Sequence, residues 1–174
     1  MDPNRLRPAP AWEVERWLNV QAPLSLEALR GRVIVLLAFQ MRCAGCVQLA
    51  LPQLRRVCET FEGDKVAAIG LHTVFEDHEA MRPEALEGFL QEHRFDFPVG
   101  VDRADRGDGM PLTMQRYQMQ GTPTLVLIDA QGRLRRQAFG HQPDLRLGAE
   151  IMALSIEAQQ SEDLGSGLGA LGSR

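Results

Sequence analysis

The chain has only three cysteines in 174 residues, too few for a disulfide-stapled scaffold. Its four histidines, His72, His78, His93 and His141, are scattered without ligand spacing. A structural zinc site needs about four ligands, usually from two C-x-x-C-like pairs, and only one such pair exists. No stretch approaches the roughly 20 apolar residues of a membrane span. The N-terminal MDPNRLRPAPAWEVERW lacks the apolar h-region of a secretory signal, so the expected location is cytoplasmic. Neither charge sign dominates: the net charge of −4 gives no reason to expect nucleic acid or an anionic membrane as partner. The local arginines Arg55-Arg56, Arg133 and Arg135-Arg136 read as solvated faces.

What is present is the composition of one soluble domain, 44% hydrophobic and 24% charged, with enough chain for a sizeable core. Residues 1–23 are punctuated by proline and read as an irregular segment with a short strand near Trp12–Trp17. Ser25 caps and Gly31 stops one short helical turn. VIVLLAF (Val33–Phe39) is a continuous apolar run, too short for a buried helix, so it predicts a strand covered on both faces. From Cys43 to Phe61 the apolar residues recur at three and four, a helix, with Pro52 predicting a kink.

Farther along, Val66–Leu71 predicts a second buried strand, Pro83–His93 a helix and FDFPVGVD (Phe95–Asp102) a short strand. A Gly/Asp loop, Arg103–Gly109, and a short helix over Thr113–Met119 follow. Thr124–Asp129 and Leu134–Phe139 flank Ala130-Gln131-Gly132 as a hairpin. Pro143–Gln159 is a final amphipathic helix, and the Gly/Ser-rich Ser161–Arg174 reads as a flexible tail. The domain is therefore expected over residues 24–160. The early βαβ unit implies parallel strands and the late hairpin antiparallel ones. The expected architecture is a three-layer α/β/α domain on a mixed sheet.

Cys43 and Cys46 stand where that map puts chemistry. Cys43 follows a buried strand by four residues and opens a helix. Ligands and reactions gather at the carboxyl ends of such strands. Free N–H groups and the positive end of the helix dipole stabilise a thiolate, and Arg42 adds a full positive charge next door. Both lower the Cys43 pKa below the ordinary value of about 8.5. Cys46, one turn on, is close enough to close a disulfide. The pattern points to Cys43 as attacking thiolate and Cys46 as resolving thiol in thiol–disulfide exchange. Cys58 lies about 18 Å farther along the same helix, out of reach, and reads as a buried small hydrophobe.

Two other patterns are set aside. Asp102, Asp105 and Asp108 are spaced by three, with no closing Glu, so they are not an EF-hand. Met110, Met114 and Met119 read as packing rather than a copper site. No metal and no organic cofactor is expected.

Gly121-Thr122-Pro123-Thr124 precedes a predicted strand, a place where proline is tolerated. Together with PLSLEALRGRVIVLLAFQMRCAGC, VAAIGLHT, FPVGVD and GTPTLVLIDAQGRL, it makes the chain resemble the thioredoxin superfamily over most of residues 20–140. The resemblance is to its TlpA-like and redoxin (peroxiredoxin-related) branch. It implies the thioredoxin fold and a cis Pro123. It also implies that the loop bearing Thr122 and Pro123 packs against the cysteine pair and offers backbone polar groups to a substrate. A recycling reductase and a protein or small-molecule disulfide or dithiol are the partners implied.

The chain departs from the family pattern in several places. Arg42 replaces the tryptophan before the first cysteine, and Ala44-Gly45 replaces Gly-Pro. Leu37 replaces thioredoxin's buried Asp, and Leu49 replaces the Glu frequent in TlpA-like reductases, with Ala50 next to it no carboxylate either. His72, at the end of the strand Val66–Leu71, is a possible substitute proton acceptor, with Glu76, Asp77 and Glu79 weaker ones. The peroxiredoxin motif Pro-x-x-x-Thr-x-x-Cys is absent: Leu36 and Gln40 stand at its positions before Cys43, and Phe39 and Cys43 before Cys46. The rival readings are a thiol peroxidase and a non-catalytic interaction module of the same fold.

Overall fold

A computed structural model describes residues 6–107 and 109–169. Asp108, one of the three acidic loop residues considered above, lies outside them, as do the ends of the chain. The strands are β1 (Val14–Leu18), β2 (Val33–Phe39), β3 (Val66–His72), β4 (Val99–Asp102), β5 (Thr124–Ile128) and β6 (Leu134–Phe139). The helices are α1 (Leu51–Thr60), preceded by a π-helical turn at Cys46–Ala50, α2 (Pro83–His93), α3 (Leu112–Arg116) and α4 (Asp144–Gly169).

The six strands form one mixed sheet in the order β1-β4-β3-β2-β5-β6. β2 runs parallel to β3, and β3 parallel to β4. β5 is antiparallel to both β2 and β6, and β1 antiparallel to β4. All seven residues of β2 are buried, as an apolar run covered on both faces requires. Alternation splits them between two cores. Val33, Val35, Leu37 and Phe39 pack with Leu51, Leu54, Leu86 and Ile151, from α1, α2 and α4. Ile34, Leu36 and Ala38 pack with Leu26, Leu29, Met114 and Tyr117 on the opposite face. This is the three-layer thioredoxin architecture. Met114 and Met119 are buried in that second core, and Met110 packs against it.

Several boundaries differ from the sequence pattern, each for a physical reason. Pro52 does not merely kink the helix. It has no N–H for the carbonyl four residues back, and the turn before it widens so that Leu51 N–H reaches Cys46 O. Cys58 is exposed rather than buried, because Leu54 and Val57 already occupy the inward face of α1. The helix expected over Thr113–Met119 ends at Arg116, followed by Gln118 at φ 51°.

The described residues before 24 join the sheet. β1 extends the sheet, and Ala9 N–H donates to Gly132 O at 2.9 Å. α4 continues through the stretch read as tail as far as Gly169. Residues 161–166 are all exposed, so backbone bonding rather than packing carries that extension.

The topology brings the site together. β2, β3 and β4 end at the same edge of the sheet, where antiparallel β5 begins. Phe39 stands beside His72, and Ala38 beside Thr124. The turn after β2, the segment after β3 and the Thr122-Pro123 loop therefore meet there.

Candidate active site

Cys43 sits four residues past β2, on the turn that opens the helix. Its N–H donates to Gln40 O at 3.1 Å, and its carbonyl accepts from Val47 N–H at 3.0 Å. Cys46 N–H donates to Cys43 Sγ at 3.3 Å, so the sulfur occupies the place of an N-cap acceptor. The two cysteines are disulfide-bonded, their Cα atoms 5.2 Å apart. They differ in access: Cys43 is half-buried, whereas Cys46 is 0% exposed and packs in the core with α1. Only Cys43 faces an incoming molecule.

The loop before β5 closes over the pair. Thr122 O lies 3.6 Å from Cys43 Sγ, and the Thr122–Pro123 peptide bond is cis. A Cβ on Gly45 would stand 3.8 Å from Pro123 Cδ, so the proline seats on the turn between the cysteines. Gly140 N–H donates to Pro123 O at 2.8 Å and Thr124 Oγ1 donates to Gly121 O at 2.7 Å, which anchors the loop from both sides. Beside it, Phe139 is 60% exposed and lies over Gly121. Leu49, one turn past Cys46, is also exposed. Sequence reasoning did not single out Phe139; an aromatic at the end of an amphipathic edge strand carries no local sign that it stays uncovered.

Arg42 forms an ion pair with Asp77. His72 is 0% exposed, its ring centroid 5.2 Å from that of Phe39. Its Nε2 accepts from Met41 N–H at 3.4 Å, and its Nδ1 has no partner. Burial pushes its pKa down to about 4. The structure thus brings His72 to the same sheet edge but bonds it to the turn, not to the cysteines, and makes it a poor base at neutral pH.

At the positions where the resemblance led to the expectation of an acid, Leu37 is buried and Leu49 is exposed, and Ala50 beside Leu49 is buried. The buried acids among the described residues are engaged elsewhere. Asp102 accepts from Thr73 Oγ1 and from the N–H groups of Thr113 and Met114, and burial raises its pKa. Asp129 binds Arg133 and Arg135. Cys58 is free, and partial burial of its thiol with Asp96 nearby pushes its pKa up to about 11, far from a reactive thiolate. Among the described residues no group of three or more His, Cys, Asp or Glu side chains could hold a metal ion.

Comparison with known proteins agrees with this geometry. A search of the curated proteins found no match. Among solved structures, the chain is similar to a thioredoxin-like superfamily protein at 52% identity and TM-score 0.84, over 86% of this chain and 96% of that one. It is also similar to a thiol-disulfide isomerase from Corynebacterium glutamicum, with 40% identity, TM-score 0.81, and 88% and 97% of the two chains covered. StoA from Bacillus subtilis, at 18% identity and TM-score 0.60 over 80% and 94%, shares the fold. The family model described as AhpC/TSA matches residues 6–137. The chain therefore belongs to the AhpC/TSA family, on its thioredoxin-like branch.

Proposed function

We propose that the protein is a thiol–disulfide oxidoreductase working through Cys43 and Cys46. The observation that carries this is the asymmetry of the pair: a half-buried sulfur at a helix start, bonded to a fully buried one, beneath the Thr122 carbonyl. In the reducing direction the Cys43 thiolate attacks one sulfur of a substrate disulfide and expels the other as a thiolate. Cys46 passes its proton to the substrate thiolate just released and attacks Cys43 Sγ, breaking the mixed disulfide, and the second substrate thiolate takes a proton from solvent. The substrate leaves as a dithiol and the protein keeps the disulfide. The oxidising direction is the reverse.

Arg42 and the helix start favour the Cys43 thiolate. Thr122 and Pro123 shape the groove in which the substrate chain lies. The substrate class is a protein disulfide or dithiol, supported by the apolar Phe139 and Leu49 flanking the pair and by the isomerase relative. A separate dithiol reductase recycles the pair. A cytoplasmic setting is part of the proposal; a free thiol at Cys58 fits a reducing compartment, and cell fractionation tests it.

The AhpC/TSA match favours one second reading, a thiol peroxidase. Against it, the positions of the peroxidatic motif hold Leu36, buried in the core, and Gln40, whose amide is committed to Phe75 and Glu76. The deciding experiment equilibrates the protein with glutathione buffers and measures the alkylated forms by mass spectrometry. A reversible two-electron couple between roughly −120 and −270 mV supports the oxidoreductase. No intramolecular disulfide at any poise, together with peroxide consumption, would replace it by the peroxidase.

A further inference from the structure

Each of the three residues joining β2 to Cys43 is tied to the end of β3 or to the segment that follows it. Gln40, only 1% exposed, donates its amide to Glu76 Oε1 at 3.2 Å and accepts from Phe75 N–H at 3.2 Å. Met41 N–H donates to His72 Nε2. Arg42 pairs with Asp77. Thr73 N–H closes the set by donating to Phe39 O at 3.0 Å. The connection runs across the ends of two adjacent parallel strands, and its far side carries the acidic residues that the sequence offered only as weak proton acceptors.

We propose that Phe75–Asp77 is a working part of the redox site: Asp77 sets how much of the Arg42 charge reaches the Cys43 thiolate, and Gln40 holds the two in register. The proposal rests on the dithiol–disulfide reading above. In the disulfide form there is no thiolate, and Arg42 neutralises Asp77. Reduction creates a negative charge on the residue next to Arg42. Asp77 then competes for the guanidinium and adds its own repulsion. Both effects disfavour the thiolate and oppose the helix start.

The other groups near the thiolate do not duplicate this role. Glu76 is directed at Gln40, and His72, buried and bonded to Met41, supplies no charge at neutral pH. Neither the facing loop Gly121–Pro123 nor the turn Ala44–Gln48 carries a charged side chain. His141, exposed just past Gly140, is unchanged in every variant below. Arg42 and Asp77 side chains are 63% and 49% exposed, so solvent screens their pair and the effect is modest.

The test is the pH dependence of Cys43 carbamidomethylation in the reduced full-length protein, followed by mass spectrometry. Asp77 lies at φ 47°, a conformation asparagine tolerates, so Asp77→Asn removes the charge without straining the backbone. Asp77→Asn lowers the midpoint by a few tenths of a pH unit, roughly two- to threefold more thiolate below the midpoint. Arg42→Gln raises it, and in the Arg42→Gln background Asp77→Asn has a smaller effect, the part due to direct repulsion alone. Gln40→Met, which alters neither charge, shifts the midpoint in the same direction as Asp77→Asn by releasing the segment. The shifts shrink in about 1 M salt, where the Debye length is about 3 Å.

No shift in Asp77→Asn, or an equal shift with and without Arg42, overturns the proposal. A Gln40→Met midpoint equal to wild type overturns the holding role. Failure of the wild type to form its disulfide in glutathione buffers would instead overturn the dithiol reading, and the Cys43 titration is readable in either case.

Discussion

Replacing His72 by phenylalanine isolates the cost of burying a titratable ring under the cysteine turn. His72 is fully buried, with an ordinary value of 6.5 in the unfolded chain and about 4 in the native one. The native pKa is the lower of the two, so between pH 6.5 and 4 the unfolded state binds a proton that the native state does not. Stability is therefore lost as pH falls through that window. The full difference corresponds to about 3 kcal/mol, of which about 2.5 kcal/mol has gone by pH 4.5.

Phenylalanine keeps the packing against Phe39 and removes the titration. At pH 7 His72→Phe is destabilised by about 1 kcal/mol, because Met41 N–H loses its acceptor. At pH 4.5 the variant is the more stable protein. Asp144 and Glu157, with lowered pKa values, also lose stability as pH falls, and Asp102, with a raised one, acts oppositely. These contributions are common to both proteins and cancel in the difference. The assay is urea unfolding of the oxidised proteins at the two pH values. A difference between wild type and variant that stays constant with pH would refute the reasoning, and would mean that His72 keeps near-ordinary basicity.

Cys46→Ser leaves Cys43 able to attack and unable to be resolved, so it accumulates a mixed disulfide detectable as an adduct mass, whereas Cys43→Ser forms none. Phe139→Ser raises KM for a protein disulfide about tenfold while leaving a small disulfide such as oxidised glutathione unaffected, because only a polypeptide reaches the ring beside Gly121. Asp129→Ala removes the ion-pair partner of Arg133, leaves Arg135 with Glu157 alone, and frees the N–H groups of Gln131 and Arg133; unfolding by urea shows a loss of about 2 kcal/mol.

Much of this molecule is legible along the chain. VIVLLAF declares a strand buried on both faces, since no amphipathic element can be apolar at seven successive positions. Cys43 and Cys46 declare a redox pair, because three residues apart at a helix start are neighbours whatever else surrounds them. These are properties of local periodicity, with the partner within a turn or a pleat. The same local logic misplaced Cys58, since helical spacing shows that an apolar stripe exists but not where its edge meets the sheet.

Tertiary structure alone decided the rest. Gln40 finds Phe75 and Glu76, and Arg42 finds Asp77, across about 35 residues, because β2 and β3 align Phe39 with His72. That register is set by how two strands and a crossover helix pack together. Nothing in either segment announces it. The same register buried His72 and suppressed its basicity, since desolvation belongs to the assembled core and not to any stretch of sequence.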